Sequence, residues 1–391
     1  MFDQLPAHAD DPILGLFEAY KADPRPHKVN LGIGIYCDEQ GRVPVLDSVR
    51  AARALLAEAD APSVYAPTEG AQPYRDAVRR LVFGEVATAP LVVVQTVAGT
   101  GALKTGADLL KDLSPEATVW TPDPTWANHA AIFEGAGLRV DHYPYYDGST
   151  GGFDLDGAIA TLGKLPAGDI VLLHPCCHNP TGVDPSHEEW HALFDTIAQR
   201  GLLPFFDMAY QGFARGVDED AWAVRECVRR GIACLVASSF SKIFSLYGER
   251  VGALAVHAPG ADAARLLGRL KLGIRRSYSC PPGQGAALVQ AILSDSALES
   301  KWRAELEAMR LRMRAMRTAL HRALHRALGP GSDYLVAQHG MFSYTGLAPA
   351  RIDALRERFG VYLVGSGRLC VAGLNASNIE RVSAALAAVR A

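Results

Sequence analysis

The stretch SSFSKIFSLYGERVG, residues 238 to 252, sets Lys242 among serines and aromatics, with the apolar run CLVASSF leading into it and Arg250 following. Lysine prefers water, and an amine carried to the end of an apolar strand is partly withdrawn from it, so Lys242 is either paired with a carboxylate or used in chemistry. Ser239, Ser241 and Arg250 together suit a phosphate, the arginine giving charge-assisted contacts and the serines neutral ones. A lysine nucleophile must spend time unprotonated, against a reference pKa of about 10.4. Condensation with an aldehyde cofactor meets that requirement.

Three other segments carry polar groups where apolar runs stop. In AGTG, Ala98 to Gly101, glycines let backbone approach a phosphate and a helix N-terminus offers amides to it, although the same residues also suit a plain strand-to-helix turn. The spacing matches neither a Walker A loop nor the dinucleotide fingerprint. In HPCCHNPTGVDP, residues 174 to 185, Asn179 precedes a proline and is driven from helical geometry, which makes either a turn or an amide aimed into a cleft. In FFDMAYQGFARG, Asp207 ends an apolar strand, with Tyr210 close behind. That carboxylate either caps the next helix or holds a proton on a pyridine nitrogen.

These residues need a scaffold. Strand-length apolar runs occur at PLVVVQTV, ATVWTP, LRVDHYPYY, DIVLLHPCC, GLLPFFDMAY, ACLVASSF and VGALAVHA, several separated by helical patterns. The alternation predicts an α/β fold with a mostly parallel sheet covered on both faces, whose ligands sit at the carboxyl ends of the strands. One intervening helix has a capping box at Ser186 and Glu189, an apolar face of Trp190, Leu193, Phe194 and Ile197, and a stop at Gly201. From Ser296 to Leu328, Trp302, Leu306, Met309, Met313, Met316, Leu320 and Leu324 recur every three or four residues. They predict one long amphipathic helix with a core-facing stripe, leading into a smaller second domain.

The 391 residues carry 39 Lys plus Arg against 42 Asp plus Glu, so the total charge implies no nucleic-acid surface. No segment approaches the roughly 18 uninterrupted apolar residues of a membrane span, and the start lacks a basic region followed by an apolar core, which predicts a cytoplasmic protein. Seven cysteines without a Cys-x-x-Cys pair predict reduced thiols. His321 and His325 share a helix face, but no carboxylate is suggested nearby, so no metal is expected.

The whole chain resembles the class I, fold type I aminotransferases dependent on pyridoxal 5'-phosphate, in the subgroup acting on aspartate and aromatic amino acids. The resemblance runs through NLGIGIY, SVYAPTEG, AGTGALK, PTWANH, HPCCHNPTG, FFDMAYQGFARG, SFSKIFSLYGERVG, RRSYSCPP, GMFSYTGL and SGRLCVAG. It implies a homodimer with shared active sites, an N-terminal arm over residues 1–10, a small α/β domain over 11–43 and 309–391, and a large cofactor-binding domain over 44–308. It also implies cis bonds at Asp123 to Pro124 and Asn179 to Pro180.

Residue by residue, the resemblance implies that Lys242 forms the internal aldimine and shuttles the proton, and that Asp207 pairs with the pyridinium nitrogen, with His129 and His174 behind it. Asn179 and Tyr210 would bond the phenolic oxygen, and Trp126 would stack on the ring. Gly99, Thr100, Ser239, Ser241 and Arg250 would hold the phosphate, joined by Tyr65 acting on the neighbouring chain's site. Arg368 would bind the alpha-carboxylate, with Gly34, Trp126 and Asn179 assisting. Arg275, chosen over the adjacent Arg276 by motif register, would take a distal carboxylate across the dimer.

The expected reaction is ping-pong transamination between an amino donor and 2-oxoglutarate. Where aspartate-dedicated members place a lysine this chain has Cys37, and where they place polar residues it has Val43, Val64 and Cys280. With Ile35, these would let an aromatic ring be buried, gaining roughly 2 to 3 kcal/mol. The expected donor is therefore tyrosine or phenylalanine, with aspartate activity retained; the alternative is an aspartate aminotransferase with neutral core changes. Two further rivals are a lyase or decarboxylase on the same scaffold, which a distal-carboxylate arginine speaks against, and a cofactor-binding sensor fused to a DNA-binding domain. The fold is expected to begin within the first few residues, which leaves no helix-turn-helix.

Overall fold

The computed structural model describes residues 12–86, 90–329 and 331–390, so the N-terminal arm expected over 1–10 lies outside the described residues. The chain forms two compact units, Pro44–Arg312 and Met1–Val43 with Met313–Ala391.

The larger unit is built on seven strands: β1 (Leu91–Val97), β2 (Thr118–Asp123), β3 (Arg139–Pro144), β4 (Ile170–Leu173), β5 (Leu203–Met208), β6 (Cys234–Ser239) and β7 (Val251–His257). Their order across the sheet is β1-β7-β6-β5-β4-β2-β3. All seven coincide with the apolar runs of the sequence. Every residue of β4, β6 and β7 is buried, as expected of central strands covered on both faces. The pairs from β6 through to β3 are parallel, while β7 runs antiparallel to both β1 and β6.

Helices α1 (Ala98–Leu113), α2 (His187–Arg200) and α3 (Ala263–Ser277) pack around the sheet, and α4 (Ser296–Leu328) follows them. The capping box at Ser186 and Glu189 opens α2 and left-handed Gly201 closes it. Its Trp190 and Phe194 meet Phe206 of β5 at ring separations of 6.2 and 6.5 Å, so the apolar face lies on the sheet. Fully buried Trp302 of α4 stacks on Phe244 at 4.5 Å, and its Nε1 donates to the carbonyl of Ile243, beside Lys242. A stripe residue thus braces the lysine's own loop.

In the smaller unit Val29–Asn30 pairs in parallel with Val361–Tyr362, and Phe342–Tyr344 pairs antiparallel with Arg368–Cys370. Helices Pro349–Phe359 and Ile379–Arg390 accompany them. Here the apolar stripe of α4 holds an exception that its spacing does not signal. Leu320 and Leu324 are buried as expected, but so is Arg317, which is only 3% exposed. Its guanidinium donates to the carbonyls of Leu335 (3.2 Å), His339 (3.0 Å) and Gly340 (2.9 Å), and to the carbonyl of Phe342 and Oγ of Ser343. One planar cation thereby satisfies a turn that makes few ladder bonds of its own.

All seven cysteines are free thiols. Among the described residues no helix is long and apolar enough to cross a membrane.

Replacing Arg317 with Met strands several buried carbonyls, each costing about 1–3 kcal/mol if water cannot reach it. The variant is expected to lose about 3 kcal/mol or more, read as a lower urea midpoint; an unchanged midpoint would show that water takes over the clamp.

Candidate active site

The parallel strands end at one edge of the sheet, and antiparallel β7 begins there, with Val251 opposite Val97 and Gly252 opposite Ser239. Arg250, immediately before β7, is therefore delivered to the edge where β1 ends and α1 starts. The amide of Ala98 donates to the carbonyl of Arg250 at 3.1 Å, and both residues have left-handed backbone, φ 54° and 51°. Gly252 permits this approach: a Cβ there would lie 2.6 Å from Ala98 C and from the Ser238 carbonyl oxygen. At Gly99 a Cβ would sit 3.0 Å from Ser239 Cβ.

Donors gather around this crossing. Arg250 Nη1 lies 3.4 Å from Ser241 Oγ, which is 3.3 Å from Ser239 Oγ, while both serines are buried. These contacts are at the long end of the hydrogen-bond range. A guanidinium, two hydroxyls and a helix N-terminus thus surround space shaped by glycine, a donor set that suits a dianion.

At the end of β5 the side chain of Asp207 is 11% exposed. Burial pushes its carboxyl up, but the hydrogen bond from His129, the neighbouring imidazoles and Lys242 outweigh it and hold Asp207 below its usual value. His129 Nε2 is 3.0 Å from Asp207 Oδ2, and its Nδ1 is 2.8 Å from Thr125 Oγ1. This chain works when the Thr125 hydroxyl donates to Nδ1 and Nε2–H donates to the carboxylate. His174 follows β4; its Nδ1 accepts the Asn179 amide at 3.3 Å, and its Nε2 stands 4.0 Å from Asp207 Oδ2 without a hydrogen-bond partner.

Asn179 is buried, its bond to Pro180 is cis, as is Asp123 to Pro124, and its loop is pinned by Asp184, which accepts the amides of Cys177 and His178 at 2.8 and 2.9 Å. Lys242 Nζ lies 4.9 Å from the centre of the Tyr210 ring. Trp126 sets its ring edge-on to His129 at 5.2 Å. The sequence thus marks the chemical groups, while Thr125 and Asp184, which hold them, go unmarked, and Trp302 is marked only as a core residue of its stripe. The only signals of Thr125 and Asp184 are a Thr four residues before His129 and an Asp closing the Asn-Pro loop.

Tyr65 is 93% exposed and Arg275 is exposed, bonded to Ser279 Oγ. In the smaller unit, buried Arg368 donates to the Gly32 carbonyl at 2.6 Å and lies 4.3 Å over the Phe342 ring, against which a Cβ on Gly34 would press at 2.9 Å.

Burial pushes the His174 imidazole down to about 3 from 6.5, and His178 well below its usual value. Both stay neutral in the fold yet take up protons in the unfolded chain below about pH 6.5, so stability should fall as pH drops from 6.5 towards 3. Each contributes a slope of at most about 1.4 kcal/mol per pH unit. Asp207 adds in the same direction at lower pH. Urea midpoints measured from pH 7 to 4 should decline less steeply in His174→Gln; an identical slope would place the acid sensitivity elsewhere.

The sequence profile of the family described as aminotransferase class I and II matches residues 26–386. The chain is 52% identical to the aromatic-amino-acid aminotransferase of Escherichia coli strain K12, over 100% of both chains. It is 47% identical to an aspartate aminotransferase of Pseudomonas aeruginosa, over 97% of each. The crystal structure of the Burkholderia pseudomallei aromatic-amino-acid aminotransferase, covalently bound to pyridoxal phosphate, superposes with a TM-score of 0.97 at 47% identity, covering 100% of this chain and 99% of that one. With its lysine, carboxylate and anion cradle at one sheet edge, the chain belongs to the class I and II aminotransferase family.

Proposed function

We propose that this chain is an aromatic amino acid aminotransferase that takes tyrosine and phenylalanine as donors and 2-oxoglutarate as acceptor, and that keeps activity on aspartate. The observation that carries the transaminase reading is Lys242 beside Tyr210, on the same sheet edge as a carboxylate held ionised by His129 and a cationic cradle at Arg250. The enzyme is a pyridoxal 5'-phosphate-dependent transaminase. The residues fit that group: the cradle suits its phosphate, and buried Asp207 suits a cationic ring nitrogen. When bound, the cofactor supplies an aldehyde that condenses with amines and a ring that accepts the electrons of a broken Cα–H bond.

Lys242 Nζ would take the proton from the α carbon of the amino donor and pass it on, and in the second half of the ping-pong cycle would deliver a proton to the α carbon of the product amino acid. Asp207 would accept a hydrogen bond from the ring nitrogen and keep the proton on it. Asn179 and Tyr210 would hold the phenolic oxygen, and Trp126 would flank the ring. Gly99, Thr100, Ser239, Ser241 and Arg250 bind the phosphate. Arg368 takes the alpha-carboxylate with Gly34, and Arg275 takes the distal carboxylate of 2-oxoglutarate or aspartate.

We read Tyr65 and Arg275 as acting in the site of a second copy, and their exposure in the single chain supports this. The assembly is then a homodimer, working in the cytoplasm, with residues 11–43 and 309–391 as its small domain and 44–308 as its large one. For the donor, Cys37 and Ile35 are half-buried, while Val43 and Val64 are 47% and 79% exposed, leaving apolar area for a ring. The E. coli and Burkholderia relatives, named for aromatic amino acids, support the same choice. The Pseudomonas relative, named for aspartate, favours the second reading, a dedicated aspartate enzyme.

Lys242→Ala is expected to lose the cofactor's visible absorbance band and at least roughly 10²–10⁴-fold in kcat; transamination at the wild-type rate would sink the reading. Comparing kcat/KM for phenylalanine, tyrosine and aspartate should put the aromatics level or ahead, whereas aspartate leading both by more than about a hundredfold would select the second reading. Sedimentation at assay concentration should give a dimer, and an active monomer would refute the shared site.

A further inference from the structure

We propose that His321, His325 and Asp333 of the smaller unit form a surface site for a divalent transition-metal ion of the zinc or nickel type. Nothing in the transaminase reading uses these residues. His321 and His325 stand one turn apart on α4 with ring centres 5.7 Å apart, the spacing at which two imidazoles can share a cation. Sequence spacing offered no third ligand, but the fold supplies one. The helix ends at Leu328, Gly329 and Gly331 take φ of 72° and 123°, and the chain returns so that Asp333 Oδ1 lies 3.7 Å from His321 Nδ1. One ring nitrogen from each histidine and one Asp333 oxygen all lie within 4.8 Å of one another.

Around a zinc ion with ligands at about 2.0–2.1 Å, such atoms sit roughly 3.3 Å apart. The exposed side chain of Asp333, 74% accessible, can close that difference by rotation. Without metal, His321 Nδ1 lies 3.0 and 3.2 Å from Ser332 Oγ and carbonyl oxygen, so an ion at Nδ1 displaces the proton that serves the carbonyl. Two imidazoles and one carboxylate favour zinc, nickel or copper over magnesium or calcium, and three protein ligands leave room for water. A bound ion staples the end of α4 to the turn that follows it, which raises the stability of the folded state by mass action.

The test uses the full-length holoenzyme, stripped with chelator and titrated by calorimetry with zinc alone and with nickel alone. One equivalent per chain is expected, with affinity falling at least roughly tenfold in both His325→Ala and Asp333→Asn. Zinc should raise the melting temperature of the wild type and not of His325→Ala. Both variants change exposed side chains, so unaltered circular dichroism and transamination serve as folding controls. No binding, equal binding in the two variants, or a loss confined to His325→Ala would each overturn the three-ligand site, the last leaving a bare histidine pair.

Discussion

The larger unit is arranged around one buried anion. Asp207 is carried to the end of an apolar strand, where burial pushes its carboxyl up. Its charge persists because His129 reaches it at 3.0 Å, and His129 is in turn oriented by Thr125. A neutral acid there would donate a proton rather than accept one, and a ring nitrogen opposite it would lose its reason to be cationic. The neighbouring His174 and His178 are kept neutral, so the site holds one negative charge amid imidazoles instead of a titrating cluster. Electrostatic order here is a consequence of burial, and burial is a consequence of the sheet.

Backbone conformation tells a related story. Ala98, Cys177, Ser245 and Arg250, none of them glycine, have left-handed φ between 51° and 54°. Such residues cost of order 1–3 kcal/mol each and persist only where their surroundings fix them. The fixings are visible: Ala98 is tied to Arg250, Cys177 to Asp184, and Ser245 through its amide to the Lys242 carbonyl and through its hydroxyl to Pro44. Stability is given up in the loops that present the cradle, the asparagine and the lysine, so those groups need little rearrangement to meet a ligand.

How much of this could be read in advance follows from physical range. Seven strands, the α2 capping box and the extent of α4 were legible because period and capping act over a few residues. That Asp207 stands at a strand end, and Lys242 and Asn179 shortly after one, was legible because polar residues at the ends of apolar runs are anomalous. Arg317 was not, since a helical stripe gives no sign that a cation will turn inward to a loop some twenty residues on. Asp333 was missed for a similar reason: two glycines redirect the chain, and direction is not written in hydrophobicity. The neutrality of His174 depends on packing from several strands at once.

The reversed strand β7 has a further effect, on the order of assembly. β1 lies at the sheet's margin and its one neighbour is β7, the last strand of the sheet to leave the ribosome. Until Val251 emerges to meet Val97, β1 has no partner strand in the sheet, and the Ala98 to Arg250 contact cannot form. Long-range pairing of this kind makes for high contact order and slow closure. The anion cradle therefore draws on both ends of the sheet's span in sequence, and its Arg250 side joins only when the last strand of the sheet is made, with the helices α3 and α4 and most of the smaller unit still to follow.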